Sequence, residues 1–511
     1  MAGAPIARPA AAGNAWWAPD VALAVACVTL FYSLFVFRGY QKLFRDSDAG
    51  WHIVTGERIL ATGELPRTDT YSFTRAGQPW FAWEWASDVL MGAIHRGAGL
   101  PGVALFYAAV IAASVWLWFR LHWTVQGDFL FACAMAPLLL STCNIHWLAR
   151  PHVISWLFIL GTVLYVERMW GRLPACPRFR LRDAAAVALF AALWANVHAS
   201  FFSAPVRCLI YAVRPVGNPV GRGPVRRPSR RWFLMAAVIS SLAPLANPYG
   251  WRLYSHVFRY VTDSALLSRI GEFQSFDFHA AGSEQIIAAL FLGMMGGTLA
   301  LTRGRVEHFL LAVLVTWLAL RSARALPLAA LLLLPIANAA ITGSLREGFC
   351  LRHYFAYTAR LRAMDARLSG VALAPLVILC CWMVLRAPAL AAVTGFPPDQ
   401  FPVAAWPQVA HLPAGARVFA PDKFGGYLIY RSGGAFKVFF DGRSDLYGAD
   451  FLKQYGRLAQ ARPGWQTWWS TFHFTHALLP NDAPLLPALE QAGWKPIYHD
   501  HTVTLLAGGG T

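Results

Sequence analysis

Apolar residues run almost unbroken from Val21 to Val36, from Gly102 to Trp118 and from Val371 to Leu385, and short polar connections bound each run. Such stretches approach the ~20 residues that a helix needs to cross ~30 Å of hydrocarbon. Read this way, the pattern predicts helices over about 20–38, 100–121, 128–143, 151–169, 183–197, 199–213, 232–246, 284–302, 308–320, 326–342 and 371–391. The fold class that follows is an α-helical polytopic membrane protein with about eleven transmembrane helices. Residues 1–391 would form that membrane part, with a large first outer loop at 39–99.

Beyond residue 391 the pattern changes. Arg417–Ala420, Tyr427–Tyr430, Lys437–Phe440, His476–Leu479 and Thr502–Leu506 read as short strands, and 447–460, 464–472 and 484–492 as helices. That alternation predicts a small C-terminal α/β domain over 392–511. Asp441, Arg443 and Asp445 gather at one predicted strand end and read as a charged turn with an internal Asp–Arg pair. Within the first outer loop, Ile53–Leu60 and Trp83–His95 have helical apolar spacing. They are expected to lie on the membrane surface, with Trp80, Trp83 and Trp85 at headgroup depth.

Composition agrees with a membrane protein. Hydrophobic residues make up 57% of the chain and charged residues 14%, against roughly 25% charged in a soluble domain. The net charge of +18 is unevenly placed: the segment from Ala392 onward carries about +1, leaving +17 for the membrane part. No basic face with interleaved aromatics occurs in the tail, which argues against nucleic acid as a partner. The arginines cluster in connections at 171–182, 214–231, 302–306 and 343–370. Arg-rich loops belong in the cytoplasm, which puts the N-terminus inside and the tail outside. Ala24-Val25-Ala26 before Cys27 resembles a cleavage site, but the apolar run continues to Val36 and favours an uncleaved anchor after Arg8. The eight cysteines include no C-x-x-C pair, and none follows Cys381, so the tail has no disulfide. Arg outnumbers Lys by 39 to 5, a usage that points to a GC-rich bacterium and hence to its cytoplasmic (inner) membrane, with a periplasmic tail.

With that sidedness, the unusual polar residues all fall at the outer face: Asp46 and Asp48, Arg150 with His152, Asn196 with His198, the Asn247-Pro248-Tyr249-Gly250 turn, Glu272, and Arg321 with Arg324. Ionisable groups at membrane depth are costly and mark sites or water-filled cavities. The Asp46-x-Asp48 spacing lets two carboxylates converge on one hydroxyl, as general base, or on one Mg²⁺ or Mn²⁺ beside a phosphate. The structural alternative is that Asp48 caps the following helix. Arg150, Arg321 and Arg324 are candidates to hold a phosphate, because a guanidinium fork matches its oxygens. His152, His198 and Glu272 are further substrate-binding candidates, with interhelical hydrogen bonding as their structural alternative.

The stretches RDSDAGWHIVTGERIL, GELPRTDTYSF and WFAWEWASDVL resemble the first outer loop of the GT-C superfamily of membrane glycosyltransferases. The likeness is to a bacterial branch related to protein O-mannosyltransferases and oligosaccharyltransferases. It continues through HWLARPH, LWANVHASFF, LANPYGWRLY, EFQSFDFH, RSARALPL, FGGYLIYR and VFFDGRSDLYG, nearly the whole chain. The resemblance implies a polyprenyl-phosphate-linked sugar donor, transfer at the outer face, and a catalytic acid in the first loop, here Asp46 or Asp48. The acceptor, whether glycan, lipid or protein, is left open. A transporter of lipid-linked glycans is the competing function, but the sequence shows no related halves. A non-enzymatic assembly scaffold is a third, and it leaves the charged residues at the outer face unaccounted for.

Overall fold

The computed structural model describes residues 15–172, 178–213, 230–348 and 351–508. Arg8, Cys176, Cys350 and much of the Arg-rich connections at 171–182 and 214–231 lie outside the described residues.

The apolar runs all fold as helices, close to where the pattern places them. In chain order these are α1 (Val21–Phe35), α2 (Asp48–Thr62), α3 (Trp85–Thr124), α4 (Phe129–Asn144), α5 (Pro151–Arg172), α6 (Leu181–Val197), α7 (Ser203–Ala212) and α8 (Arg230–Leu242). Then follow α9 (Trp251–Thr262), α10 (Ser283–Thr302), α11 (Val306–Arg321), α12 (Leu326–Leu345), α13 (Arg352–Asp365) and α14 (Leu373–Leu385).

The expected count of about eleven transmembrane helices is wrong. Among the described residues, five helices are long and apolar enough to cross a membrane: Val21–Lys42, Trp85–Thr124, Pro151–Gly171, Ser283–Thr302 and Ala323–Leu345. The apolar segments Phe129–Asn144, Ala199–Ala212 and Leu373–Leu385 are shorter. At ~1.5 Å per residue a 16-residue helix such as α4 reaches only ~24 Å, short of the ~30 Å hydrocarbon core. Counting apolar runs took each as a full crossing. The chain is nonetheless a multi-pass membrane protein.

The first loop is not a surface element. α2 buries ten of its residues, from Asp48 to Ile59. It crosses α3 closely because both helices present glycine: a Cβ at Gly56 would meet the Asp88 carbonyl, and one at Gly92 would meet the Gly56 backbone. α3 turns from this crossing into the membrane at Gly99, whose φ of 63° favours glycine, just before Pro101. Trp80, expected at headgroup depth, is buried against Trp51 and Tyr71.

The tail adds α15 (Asp422–Arg431), α16 (Ser444–Ala459), α17 (Trp465–Ser470) and α18 (Leu485–Gln491) around four strands. These are β1 (Val418–Phe419), β2 (His476–Pro480), β3 (Lys495–His499) and β4 (Val503–Ala507). Their order is β1-β2-β4-β3, with β1 and β2 parallel and the other pairs antiparallel. Two strand expectations fail. Tyr427–Tyr430 lies inside α15, a four-residue apolar run too short to separate strand from buried helix by period. Lys437–Phe440 leaves the sheet and pairs instead with the first loop: Val438 N–H donates to the Tyr71 carbonyl at 2.9 Å, and Phe73 N–H to the Val438 carbonyl at 3.1 Å.

The tail is therefore stitched to the membrane part. Gly426 of α15 packs on the Ser47 carbonyl, and Gly50 on the Gly426 carbonyl, with no room for a side chain at either. Arg443 is almost completely buried. It grips Asp441 of its own turn through Nε at 2.8 Å and Nη2 at 2.7 Å, and Asp69 of the first loop through Nη1 at 2.8 Å. Its guanidinium also stacks on Trp80 at 4.7 Å. The predicted internal Asp–Arg pair is thus present, and it doubles as an inter-domain clamp. Arg443→Ala strands two buried carboxylates; it is expected to destabilise the docked tail by about 3 kcal/mol. That loss reads out as a lowered melting temperature in detergent and as release of the tail by limited proteolysis.

Candidate functional site

One cavity of about 1230 Å³ opens where the connections between helices meet the tail. Its wall takes Asp46 and Asp48 from the start of the first loop, Glu84 ahead of α3, Arg150 and His152 at the start of α5, and His198 after α6. Glu272 and Arg324 join from the connections flanking α10 and α11, and Asp422, Lys423 and Asp445 from the tail. Of the residues singled out in the sequence, Asp46, Asp48, Arg150, His152, His198, Glu272 and Arg324 come together here. Arg321 does not: it is exposed, with its guanidinium 5.5 Å from the Trp317 ring. Asn196 is held away from the cavity by Trp85 Nε1, which donates to its Oδ1 at 2.8 Å.

Arg150 organises the centre. Proline at the first position of α5 leaves Arg150 just outside the helix. Its Nη1 lies 2.7 Å from Asp46 Oδ2 and its Nη2 2.7 Å from Asp48 Oδ2. Glu272 Oε2 stands 3.7 Å from Nη1, and Glu272 Oε1 is 3.2 Å from Arg324 Nη1. Asp46 also shapes the backbone, because its Oδ1 accepts from Asp48 N–H at 2.9 Å. The turn into α2 is thus made by Asp46, and Asp48, the first residue of the helix, sends its carboxylate into the cavity instead of capping. The tail closes directly over this group, since a Cβ at Gly442 would overlap the Asp48 carboxylate.

The carboxylates differ in their charge environment. Burial pushes the Asp48 carboxyl up to about 7, against the pull of Arg150. Burial acts on Glu272 in the same direction, but Arg324 and Arg150 outweigh it and hold that carboxyl down at about 2. Glu272 is therefore a fixed negative charge, whereas Asp48 titrates near neutrality.

A second arrangement was not singled out from the sequence. Burial raises Glu84 to about 7, against Arg324 and Arg150. Its two oxygens face His198 Nε2 at 3.4 Å and His52 Nε2 at 3.8 Å. His198 is held neutral, at about 3, chiefly by burial. Its Nδ1 accepts from Ser200 N–H at 3.1 Å, so its proton sits on Nε2 and points to Glu84. His52 is backed by Asp88, with 2.5 Å between Nδ1 and Oδ1. The signal for this group was present as a glutamate between two tryptophans, with Asp88 one helical turn further on.

Asp46 and Asp48 are the residues that would hold a divalent cation. Both aspartates are engaged by one guanidinium, and among the described residues no three His, Cys, Asp or Glu side chains form a metal-ligating group. A Mg²⁺ or Mn²⁺ ion would have to displace Arg150.

No known family and no curated protein matches the chain by sequence. Solved structures share its fold, among them two of an archaeal oligosaccharyltransferase. The oligosaccharyltransferase of Archaeoglobus fulgidus in its apo form aligns with a TM-score of 0.53 at 11% identity, covering 90% of this chain and 69% of that one. The oligosaccharyltransferase AglB of the same organism, in complex with an inhibitory peptide and a dolichol-phosphate, aligns at 0.52, again at 11% identity with 90% and 69% covered. The chain thus shares its overall fold with these archaeal oligosaccharyltransferases.

Proposed function

We propose that the protein is a membrane glycosyltransferase that moves a sugar from a polyprenyl-phosphate-linked donor to an acceptor hydroxyl, at the outer face of a bacterial cytoplasmic membrane. The observation that carries this reading is the meeting of Asp46, Asp48, Arg150, Glu272 and Arg324 in one large cavity under the tail. The fold supports it, and so does the lipid phosphate bound by a protein of that fold. Lipid phosphate is the leaving group, so no nucleotide site is required.

In this reaction the acceptor oxygen bonds to the anomeric carbon as the bond from that carbon to the phosphate oxygen breaks. The electron pair leaves with the lipid phosphate, and the hydroxyl proton passes to a carboxylate. A single displacement inverts the anomeric centre. Asp48 is the base, because a carboxyl near 7 is matched to proton transfer at working pH. Asp46 and Arg150 position it. Arg324 and Arg150 offset the charge that grows on the departing phosphate.

Transfer from radiolabelled polyprenyl-phosphate sugar is expected in membranes carrying the wild-type chain, reduced by about a hundredfold or more in Asp46→Asn/Asp48→Asn. Undiminished transfer in the double variant would remove both residues from the mechanism. The pH profile tests the base itself. Asp48 gains its proton as pH falls through about 7, so the rate should fall along that limb and recover above it. Glu84→Gln should keep the limb; its disappearance would assign the base to Glu84, which titrates in the same range. Metal fit is checked by Mn²⁺ paramagnetic resonance on purified protein. Wild type should leave Mn²⁺ free, whereas Arg150→Ala, with two carboxylates released, should bind it.

A further inference from the structure

A second cleft, of about 990 Å³, adjoins the first and shares Trp80 as a wall. Three guanidiniums line it: Arg58 from α2, Arg67 from the first loop and Arg252 from the first turn of α9. All three residues are exposed. Arg58 donates to Thr70 Oγ1, and among the described residues Arg67 and Arg252 make no ion pair. The carboxylate lining the same cleft is Glu64, so positive charge is in excess. The floor is aromatic. Phe81 and Tyr249 lie 4.0 Å apart between ring centroids, and the Tyr249 hydroxyl donates to the Ala82 carbonyl at 3.2 Å. The Asn247-Pro248-Tyr249-Gly250 turn thus belongs to this cleft and not to the catalytic cavity.

Two physical arguments say what such a cleft takes. Arginine forks match carboxylate and phosphate oxygens, and unpaired they are free to do so. On the proposed sidedness the cleft faces outward, where arginine excess runs against the charge bias that sets topology, so these three residues do not orient the chain. Phe81 and Tyr249, both half-buried in the cleft wall, offer an apolar surface that suits the carbon-bound hydrogens of a sugar ring. We infer that the cleft binds an acidic saccharide chain, and that this chain is the acceptor, presented to the neighbouring cavity past Trp80. The inference rests on reading the protein as a transferase, and it assigns the acceptor its chemical class.

Binding can be read without turnover. Fluorescein-labelled hexagalacturonate is titrated by anisotropy against the full-length protein in phosphatidylcholine nanodiscs, with labelled maltohexaose as the neutral probe. Expected is binding of the acidic probe only, weakening with salt, and loss of affinity by about tenfold or more in Arg58→Gln/Arg67→Gln/Arg252→Gln. All three side chains are exposed, so the variant should keep the wild-type melting temperature; Arg67→Gln alone, expected to weaken binding in part, guards against a folding defect. Equal affinity in the triple variant, or equal binding of the neutral probe, overturns the inference. So does loss of the acidic probe when the nanodiscs are phosphatidylglycerol, because the cleft then belongs to lipid headgroups. The Asp46→Asn/Asp48→Asn variant should bind the probe normally, which keeps failure of the catalytic reading distinct from failure of this one.

Discussion

A guanidinium largely withdrawn from water is stable when carboxylates surround it, and at half-buried Arg150 this requirement organises the centre of the molecule. The residue itself sits between two helices, yet its partners come from separate parts of the chain: Asp46 and Asp48 from the end of the first span, Glu272 from a connection more than a hundred residues later. None of these carboxylates is placed by its own local structure alone. Each is held because leaving Arg150 unpaired, or leaving two aspartates facing each other without it, would cost several kcal/mol. The ion network therefore fixes how the connections converge, and the cavity is the space they enclose.

Arg443 repeats this logic one layer further out. It joins a tail aspartate to a first-loop aspartate, and both are almost completely buried. Close glycine contacts set the distance: Gly426 on Ser47 and Gly442 on Asp48 allow backbone to lie where any side chain would force separation. One hydrophobic core runs from the membrane helices into the tail, through Phe396, Phe401 and Tyr427. The tail is thus part of the cavity wall and not an appendage. The acidic pair and the terminal domain share one side of the helices as a matter of direct contact.

The apolar pattern located the apolar helices, because burial and lipid exposure both select for apolar runs, but it missed the more polar α9 and α13. It could not tell a full span from a shorter apolar helix, since α4 and α14 are as apolar as the spans. Strands fared worse. Lys495–His499 escaped notice as an exposed edge strand carrying Pro496, with little apolar signal to read. At the site, residues set against an apolar background, such as Arg150 and Glu272, were legible because charge is rare there. His52 and Asp88 were not, because their roles depend on a helix crossing made by glycines on two elements. Arg321 and Arg324 looked equivalent three residues apart, but only Arg324 turns into the cavity, where Glu272 awaits it.

Burial pushes Asp48 and Glu84 both up to about 7 and arginine pulls each back, but the arginine that pulls hardest differs: Arg150 at Asp48 and Arg324 at Glu84. Asp48 is pushed up by burial while an arginine pulls it back, so its proton affinity depends on where Arg150 points. An anionic phosphate entering the cavity competes for that guanidinium. On the proposed mechanism, an Arg150 drawn toward that phosphate would leave Asp48 with less counter-charge and hence a higher proton affinity once the donor is in place. Glu84 answers to Arg324 before Arg150, so a change at Arg150 alone leaves its larger counter-charge in place. On this view the base at Asp48 is gated by the donor's own charge, which guards against abstraction of a proton before a leaving group is present. Such coupling needs one cation shared by base and phosphate, and Arg150, with a guanidinium wide enough to span two carboxylates, supplies it.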